Sequence, residues 1–150
     1  MPGNRCPISY IQVDENVIRI QAFYISLFAV SYLVTESITI ILILFIDFLT
    51  RSLKCPEYSV LFNLSQITKK IFKISSVSVD AGPKYFANNI GLFVISLAII
   101  FSFIHLEPLA LITVSVLLSC ALLESVFGFC IACKFYPIWV YISTLNKKVC

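Results

Sequence analysis

Four long apolar stretches run along the chain, at residues 17–34, 38–53, 86–106 and 109–135. Backbone in lipid must satisfy its own hydrogen bonds, so such stretches are expected to be helices. A spanning helix needs about 17–25 mostly apolar residues, which the third and fourth stretches supply. The uninterrupted apolar run of the second stretch ends at Asp47. A buried or half-spanning helix is therefore the alternative for that stretch.

Short polar turns join these stretches in pairs. Thr35–Ser37 lies between the first two and Glu107–Pro108 between the last two, which predicts two antiparallel helical hairpins. Asp14 and Asp80 precede the first helix of each pair and are predicted N-caps. The expected fold class is all-α. It is a four-helix transmembrane bundle that forms a single membrane domain over residues 1–150.

The segment between the two hairpins, residues 58–75, has an amphipathic pattern. Its apolar residues recur at helical spacing, while lysines and amides fill other positions: Val60, Leu64, Ile67, Ile71 and Ile74 against Asn63, Gln66, Lys69, Lys70 and Lys73. A basic amphipathic helix is suited to the surface of an anionic bilayer. We therefore expect an interfacial helix that connects the hairpins.

A faint internal repeat links the two halves of the chain. The pair Val-Asp at 13–14 recurs at 79–80, each time before two apolar stretches. Each second stretch carries an acid, Asp47 or Glu124, and is followed by a cysteine and a tyrosine. A true duplication would make a parallel repeat of two-span units. Because the identities are few, chance similarity is the alternative.

The composition agrees with a chain that has lipid as part of its solvent. Hydrophobic residues make up 59% and charged residues 13%, and the mean hydropathy is +0.96. Soluble domains carry about 45–50% apolar and about 25% charged residues. Lysine and arginine are too few and too scattered for nucleic-acid binding. No cleavable signal peptide is visible, and the sequence holds no phosphate loop or Ser-His-Asp set.

The positions of lysine and arginine predict the orientation in the membrane. They lie before the first stretch, between the second and third, and after the fourth, at Arg5, Arg51, Lys54, Lys69, Lys70, Lys73, Lys84, Lys134, Lys147 and Lys148. The two short turns on the other side carry none. By the positive-inside rule, both termini and the central loop are cytoplasmic.

Four cysteines map to the cytoplasmic face in this topology: Cys6, Cys55, Cys130 and Cys133. Thiols are kept reduced there, so structural disulfides are not expected. Cys130 and Cys133 form a CxxC pair at the end of the fourth stretch, a spacing that serves a dithiol or a two-ligand metal clamp. Lys134 favours a thiolate, whereas the expected helix C-terminus disfavours it. Cysteine as a small packing residue is the alternative.

Three charged residues inside the apolar stretches are further site candidates. Asp47 and Arg51 are spaced for an ion pair on one helix face. Arg51 would also lower the pKa of Cys55 if the helix continues that far. Glu124 lies on a different face from the CxxC pair in a straight helix. Its expected hydrogen-bond partners are on other helices: Arg19, Asn88 or Asn89.

Several segments resemble a known family: "CPISYIQVDENVIRIQAF", "IDFLTR", "VDAGPKYFA" and "LLESVFGFCIACKFY". Together they resemble small bacterial integral membrane proteins catalogued as domain-of-unknown-function family 4395. The resemblance runs from Cys6 to Tyr136, and that family often has glycine where this chain has Ala132. It implies a four-helix protein of the bacterial inner membrane and no settled activity.

Three functions are compatible with the cysteines. In the first, Cys130 and Cys133 carry out thiol-based redox or sulfur relay with a cytoplasmic thioredoxin-like or sulfurtransferase partner, and Cys6 and Cys55 are accessory thiols. In the second, all four bind zinc, Cu(I) or an iron–sulfur cluster. In the third, the chain is a non-catalytic scaffold. A transport path would need a homo-oligomer. The sequence leaves enzymatic activity and cofactor open.

Overall fold

The computed structural model describes residues 12–53 and 56–147, and for Pro56 and residues 144–147 it describes the backbone alone. The described chain is mainly helical. Its helices are α1 (Glu15–Thr35), α2 (Ile38–Ser52), α3 (Val60–Ile71), α4 (Ala81–Phe103), α5 (Glu107–Phe127) and α6 (Ile131–Lys147). A 3-10 turn, Pro56–Tyr58, precedes α3, and two short strands, β1 (Gln12–Asp14) and β2 (Ser78–Asp80), precede α1 and α4. The predicted all-α class is confirmed at this level.

Both predicted N-caps are confirmed. The Asp14 carboxylate accepts a hydrogen bond from the amide of Asn16 at 3.1 Å, and Asp80 accepts one from the amide of Gly82 at 3.2 Å. Each aspartate therefore satisfies one of the free amides at the start of a helix. The helix after Asp80 begins at Ala81, five residues before the predicted start at residue 86, because this cap fixes its beginning.

The faint sequence repeat corresponds to a repeat in the structure. β1 and β2 pair in antiparallel register with Val13 opposite Val79, so the two Val-Asp segments lie side by side. Each half then continues with three helices. In residues 12–71, α1 contacts α2 and α3; in residues 78–147, α4 contacts α5 and α6; and across the halves α1 contacts α5 as α2 contacts α4. The two halves therefore share element order and packing.

The core lies where α1, α2, α4 and α5 meet. Its buried members include Tyr32, Ile41, Leu44 and Ile95, with small alanines between them. α2 approaches α4 tightly at Gly91, where an added Cβ would lie 2.3 Å from a ring carbon of Phe48. A glycine is required there because any side chain would overlap that ring.

Three described helices are long and apolar enough to cross a membrane: α1, α4 and α5. Large apolar side chains on their outer faces are exposed, as expected of surface in contact with lipid, for example Phe23, Phe93 and Ile112. α2 has 15 residues, so it is about 22 Å long, whereas the hydrocarbon core is about 30 Å thick. The structure therefore indicates a membrane protein.

α3 is the predicted amphipathic helix, shorter than residues 58–75. Leu61 and Ser65 are buried, and Tyr24 of α1 contacts the hydroxyl of Thr68 at 2.9 Å. The predicted apolar face points outward, with Val60 and Ile71 both more than two-thirds exposed, at 72% and 71%. α3 therefore packs on α1 by one face and turns its apolar face away from the protein.

The prediction of one helix over residues 109–135 is wrong. α5 ends at Phe127, and α6 begins at Ile131. Gly128 has a left-handed backbone, with φ at 63°, and its amide donates to the Glu124 carbonyl at 3.0 Å. Glycine takes this conformation without the steric cost of a Cβ, so it closes the helix in the middle of an apolar run.

Candidate functional site

The turn at Gly128 places the CxxC pair at the start of α6. Cys130 immediately precedes the helix, and its sulfur accepts a hydrogen bond from the amide of Cys133 at 3.3 Å. This is the position and contact of an N-cap side chain. A helix N-terminus carries partial positive charge and stabilises a thiolate. The prediction that a helix C-terminus would disfavour the thiolate is therefore wrong.

The pKa values of the two thiols are shifted in opposite directions. The side-chain hydrogen bond with Cys133 holds the pKa of the Cys130 thiol below its ordinary value; burial and Glu124 oppose this, while the Cys133 amide and Lys84 add to it. The same side-chain hydrogen bond, then burial and the nearby charge of Cys130, raises the pKa of the Cys133 thiol. The Cys130 thiol is thus the more acidic of the two.

Cys133 is also held by α4. Its sulfur lies 3.5 Å from the carbonyl oxygen of Pro83, which accepts from the thiol. Both cysteines of the pair are partly buried and unbridged. Cys120, on α5, is exposed and also free. The first turn of α4 and the start of α6 together fix the dithiol.

Glu124 forms an ion pair with Lys84. The Lys84 Nζ lies 2.5 Å from Glu124 Oε1, linking the start of α4 to the end of α5. The prediction of a different partner is wrong, since the predicted residues bind elsewhere: Arg19 donates to Val126, Asn88 donates to Phe48 and Asn89 accepts from Ser52. Sequence reasoning assigned Lys84 to the central loop. The N-cap at Asp80 is the signal that puts it in the first turn of α4.

Glu124 and Cys130 lie in the wall of one cavity. A straight helix would have separated them, but the chain turns at Gly128 and brings both to the same space. Lys84 lines the cavity as well. The predicted separation of Glu124 from the CxxC pair is therefore wrong, since the acid, its lysine and Cys130 all line the same space.

The predicted pair of Asp47 and Arg51 is confirmed. Arg51 Nη2 lies 2.9 Å from Asp47 Oδ2, and the aspartate side chain is 3% exposed. The other oxygen, Oδ1, accepts from the Ser59 hydroxyl at 2.5 Å and from the Leu61 amide at 3.2 Å. Asp47 therefore fastens the start of α3 to α2.

Ser59 and Cys130 are equivalent positions of the repeat. The Ser59 hydroxyl accepts from the amide of Phe62 at 3.1 Å, three residues on, as Cys130 does from the amide three residues on. The first half thus caps its third helix with a buried hydroxyl, and the second half caps it with a thiol. The same backbone contact therefore holds an oxygen in one half and a sulfur in the other.

The cavity beside the CxxC pair has a volume of about 420 Å³. It is partly open and is lined by α1, α2, α4 and α5 together with residues of β1, α3 and the start of α6, and its lining is mainly apolar. Its polar lining includes Gln21 and Asn88, two buried amides that sequence reasoning did not select as ligand-binding groups. Typical small-molecule sites have volumes of about 300–1,000 Å³, so the space is large enough for a ligand.

The accessory thiols and the metal site stay predictions. Cys6 and Cys55 lie outside the described residues, and so does any effect of Arg51 on Cys55. Within residues 12–53 and 56–147, no three or more histidine, cysteine or acidic side chains are grouped as metal ligands. The described chain therefore supplies two of the four predicted ligands, Cys130 and Cys133.

These features define a mainly helical membrane protein with a dithiol at a helix start. The family model for a domain of unknown function, DUF4395, matches residues 13–140, and the chain belongs to this family. No curated protein and no solved structure matches the chain.

Proposed function

We propose that this chain is a membrane-bound thiol protein that passes electrons, or a sulfur atom, between Cys130–Cys133 and a thiol partner. One observation carries the proposal. The Cys130 sulfur caps the N-terminus of α6 through the Cys133 amide, at 3.3 Å. That contact combines a helix dipole, an amide donor and a second thiol three residues on, which together favour a reactive thiolate.

The exchange proceeds through a mixed disulfide. The Cys130 thiolate attacks one sulfur of a partner disulfide, so a new S–S bond forms and the partner's other sulfur leaves as a thiolate. Cys133 then loses its proton and attacks the Cys130 sulfur, which releases the partner's second thiolate. The pair is oxidised, the partner disulfide is reduced, and the reverse sequence oxidises a partner dithiol. With a persulfide partner, the Cys130 thiolate attacks the outer sulfur, so a persulfide forms on Cys130, the partner's S–S bond breaks and the partner leaves as a thiolate.

The membrane arrangement we propose has four spanning helices in two antiparallel hairpins, α1–α2 and α4–α5, with cytoplasmic termini in a bacterial inner membrane. The 15-residue α2 is shorter than the hydrocarbon core, and local thinning of the bilayer accommodates it. The contacts between α1 and α2 and between α4 and α5 support the hairpins. The short turns without lysine or arginine support the orientation. Cys130 then faces the cytoplasm, where a thioredoxin-like or sulfurtransferase protein is the partner chemistry that fits.

Thiol trapping in native membrane vesicles tests the exchange. Vesicles are treated with glutathione disulfide, quenched with acid and alkylated, and the protein is analysed by intact mass and peptide mapping. We expect the unchanged protein to lose two hydrogens at Cys130–Cys133. Cys133→Ser should accumulate a glutathione adduct on Cys130, and Cys130→Ser should form neither product.

The matched control is Cys120→Ser, which changes the exposed free cysteine of α5 and should behave as the unchanged protein. If Cys130 and Cys133 remain plain thiols in all variants, the exchange function is refuted and the pair serves packing. A metal that copurifies and is lost from Cys130→Ser would instead support the metal-binding alternative.

A further inference from the structure

We propose that the cavity beside Cys130 binds a quinone, which accepts the two electrons of the dithiol. Three observations assign the site: the cavity itself, the neutral hydrogen-bonding groups in its wall, and the presence of Cys130 in its lining. The redox step rests on the exchange function proposed above, whereas the binding site does not.

The cavity wall favours an apolar ring with a lipid-like tail. Its larger part is formed by aliphatic side chains of α1, α4 and α5, including Val17, Ile25, Ile90, Val94, Val116 and Leu117. All three helices are long and apolar enough to cross a membrane. A ligand that partitions into the bilayer therefore meets a matching surface, and the hydrophobic effect favours its burial.

The charges of the wall favour a neutral ligand. The two partly buried cations of the wall each have a carboxylate partner: Arg51 lies 2.9 Å from Asp47, and Lys84 lies 2.5 Å from Glu124. An anionic ligand would have to compete with these carboxylates, and a cationic one would meet the paired lysine and arginine. Net charge therefore gives no preference for an ion.

Two neutral amides remain available for the ligand. Gln21 is 2% exposed and Asn88 is 9% exposed, both line the cavity, and neither Gln21 Nε2 nor Asn88 Oδ1 has a hydrogen-bond partner. The orientation of Asn88 is fixed, because its Nδ2 donates to the Phe48 carbonyl at 3.1 Å. One donor and one acceptor match a quinone carbonyl and a hydroquinone hydroxyl, and unpartnered buried amides are costly otherwise.

The sulfur and the ligand then share one space, since Cys130 lines the cavity. The reaction balances without another reagent. The S–H bonds of Cys130 and Cys133 break, the S–S bond between them forms, and two electrons and two protons pass to the quinone. Its two carbonyl oxygens become the hydroxyls of the hydroquinone. The resulting disulfide can next take electrons from a partner dithiol.

Photolabelling tests the binding site. The purified protein in lipid nanodiscs is irradiated with an azidoquinone, with and without excess decylubiquinone, and labelled peptides are mapped. We expect competed labelling on the cavity side of α1 and α4. Gln21→Met, which keeps side-chain size and removes the donor, should weaken competition about fivefold, as the loss of one hydrogen bond implies.

Asn88→Leu should have a similar effect, whereas Asn89→Leu is the matched control. Asn89 is the next residue of α4, is exposed and does not line the cavity. The site would be overturned if excess quinone did not reduce the labelling. It would also be overturned if Gln21→Met and Asn88→Leu left the competition unchanged. Cys130→Ser should still bind the quinone.

The electron transfer is tested separately in a single turnover. Reduced protein, freed of reductant under anaerobic conditions, is mixed with decylubiquinone, and the hydroquinone and the protein mass are measured. We expect one hydroquinone for each disulfide formed, and none with Cys130→Ser. Competed labelling without hydroquinone formation would overturn the redox step alone. Exchange with glutathione disulfide but no competed labelling would overturn the quinone site and leave the exchange function standing.

Discussion

Substitution of Gly91 by alanine should destabilise the protein, because α4 approaches α2 too closely at this point for a side chain. The new Cβ would lie 2.3 Å from Cε1 and 3.0 Å from Cδ1 of the Phe48 ring. Phe48 is 5% exposed and belongs to the core, so its ring has little room to move. The Arg51 guanidinium lies over the Phe48 ring, 4.5 Å from its centroid, and further limits its movement.

Two opposing effects set the magnitude. Alanine is better than glycine inside a helix by about 0.5–1 kcal/mol, whereas overpacking a core costs about 1–3 kcal/mol. The structure places the overlap well inside van der Waals contact, so the packing cost should prevail. We expect Gly91→Ala to lower the free energy of unfolding by about 1–2 kcal/mol.

The assay is reversible unfolding in mixed micelles, followed by helical circular dichroism as the denaturing detergent increases. Phe48→Leu removes the obstructing ring, so in that background Gly91→Ala should be neutral or stabilising. The double-mutant cycle should give a coupling energy of about 2 kcal/mol. Gly82→Ala is the comparison, since its Cβ would lie 2.9 Å from the hydroxyl oxygen of Tyr136, the far end of a partly buried side chain, and its cost should be smaller. If Gly91→Ala matched or exceeded the unchanged protein in stability, the close contact of α2 with α4 would be refuted.

Three further predictions concern the site and its supports. Gly128→Ala should lower the free energy of unfolding by about 1 kcal/mol, because φ is 63° at this residue. Gly128→Asn should recover part of the loss. If Gly128→Ala left the stability unchanged, the left-handed turn would be contradicted. Iodoacetamide should modify Cys130 before Cys133 at neutral pH, and the rate should fall as pH drops through the lowered pKa of Cys130; equal rates by peptide mapping would contradict the assignment of the nucleophile. Burial raises the pKa of Asp14, but hydrogen bonds from lysine, serine and two amides outweigh this and bring the pKa below 3.8. The ionised Asp14 therefore stabilises the fold above that pH, and this stability is lost as the pH falls further. Melting temperatures of Asp14→Asn should depend less on acid pH than those of the unchanged protein.

Local pattern was enough for two helix caps and for one ion pair. Asp14 and Asp80 could be predicted as caps because an N-cap needs only a short polar side chain before an apolar run. The pair of Asp47 and Arg51 could be predicted because both residues lie on one helix, four positions apart. These features depend on neighbours in sequence, so the chain alone reveals them.

The site itself depends on a turn that hydropathy does not reveal. The residues on both sides of Gly128 are apolar, so a hydropathy average treats α5 and the start of α6 as one span. The single glycine within that run, Gly128, is the signal that the sequence offers for a helix end. The pair of Lys84 and Glu124 joins residues 40 positions apart, and the cavity collects side chains from several helices. Neither can be derived from spacing along one helix.

The internal repeat explains how an acidic residue can lie near a thiolate. In the first half, the buried Asp47 is satisfied partly by the Ser59 hydroxyl, which donates its proton to the carboxylate at 2.5 Å. The first cap therefore donates to the acid of its own half. In the second half, Lys84 of α4 pairs with Glu124, so another helix neutralises this carboxylate. The Cys130 sulfur accepts from the Cys133 amide, and no donation from it to Glu124 is needed. The lysine partner is thus what distinguishes the second cap from the first, and under the proposed function it leaves the thiol free to exchange.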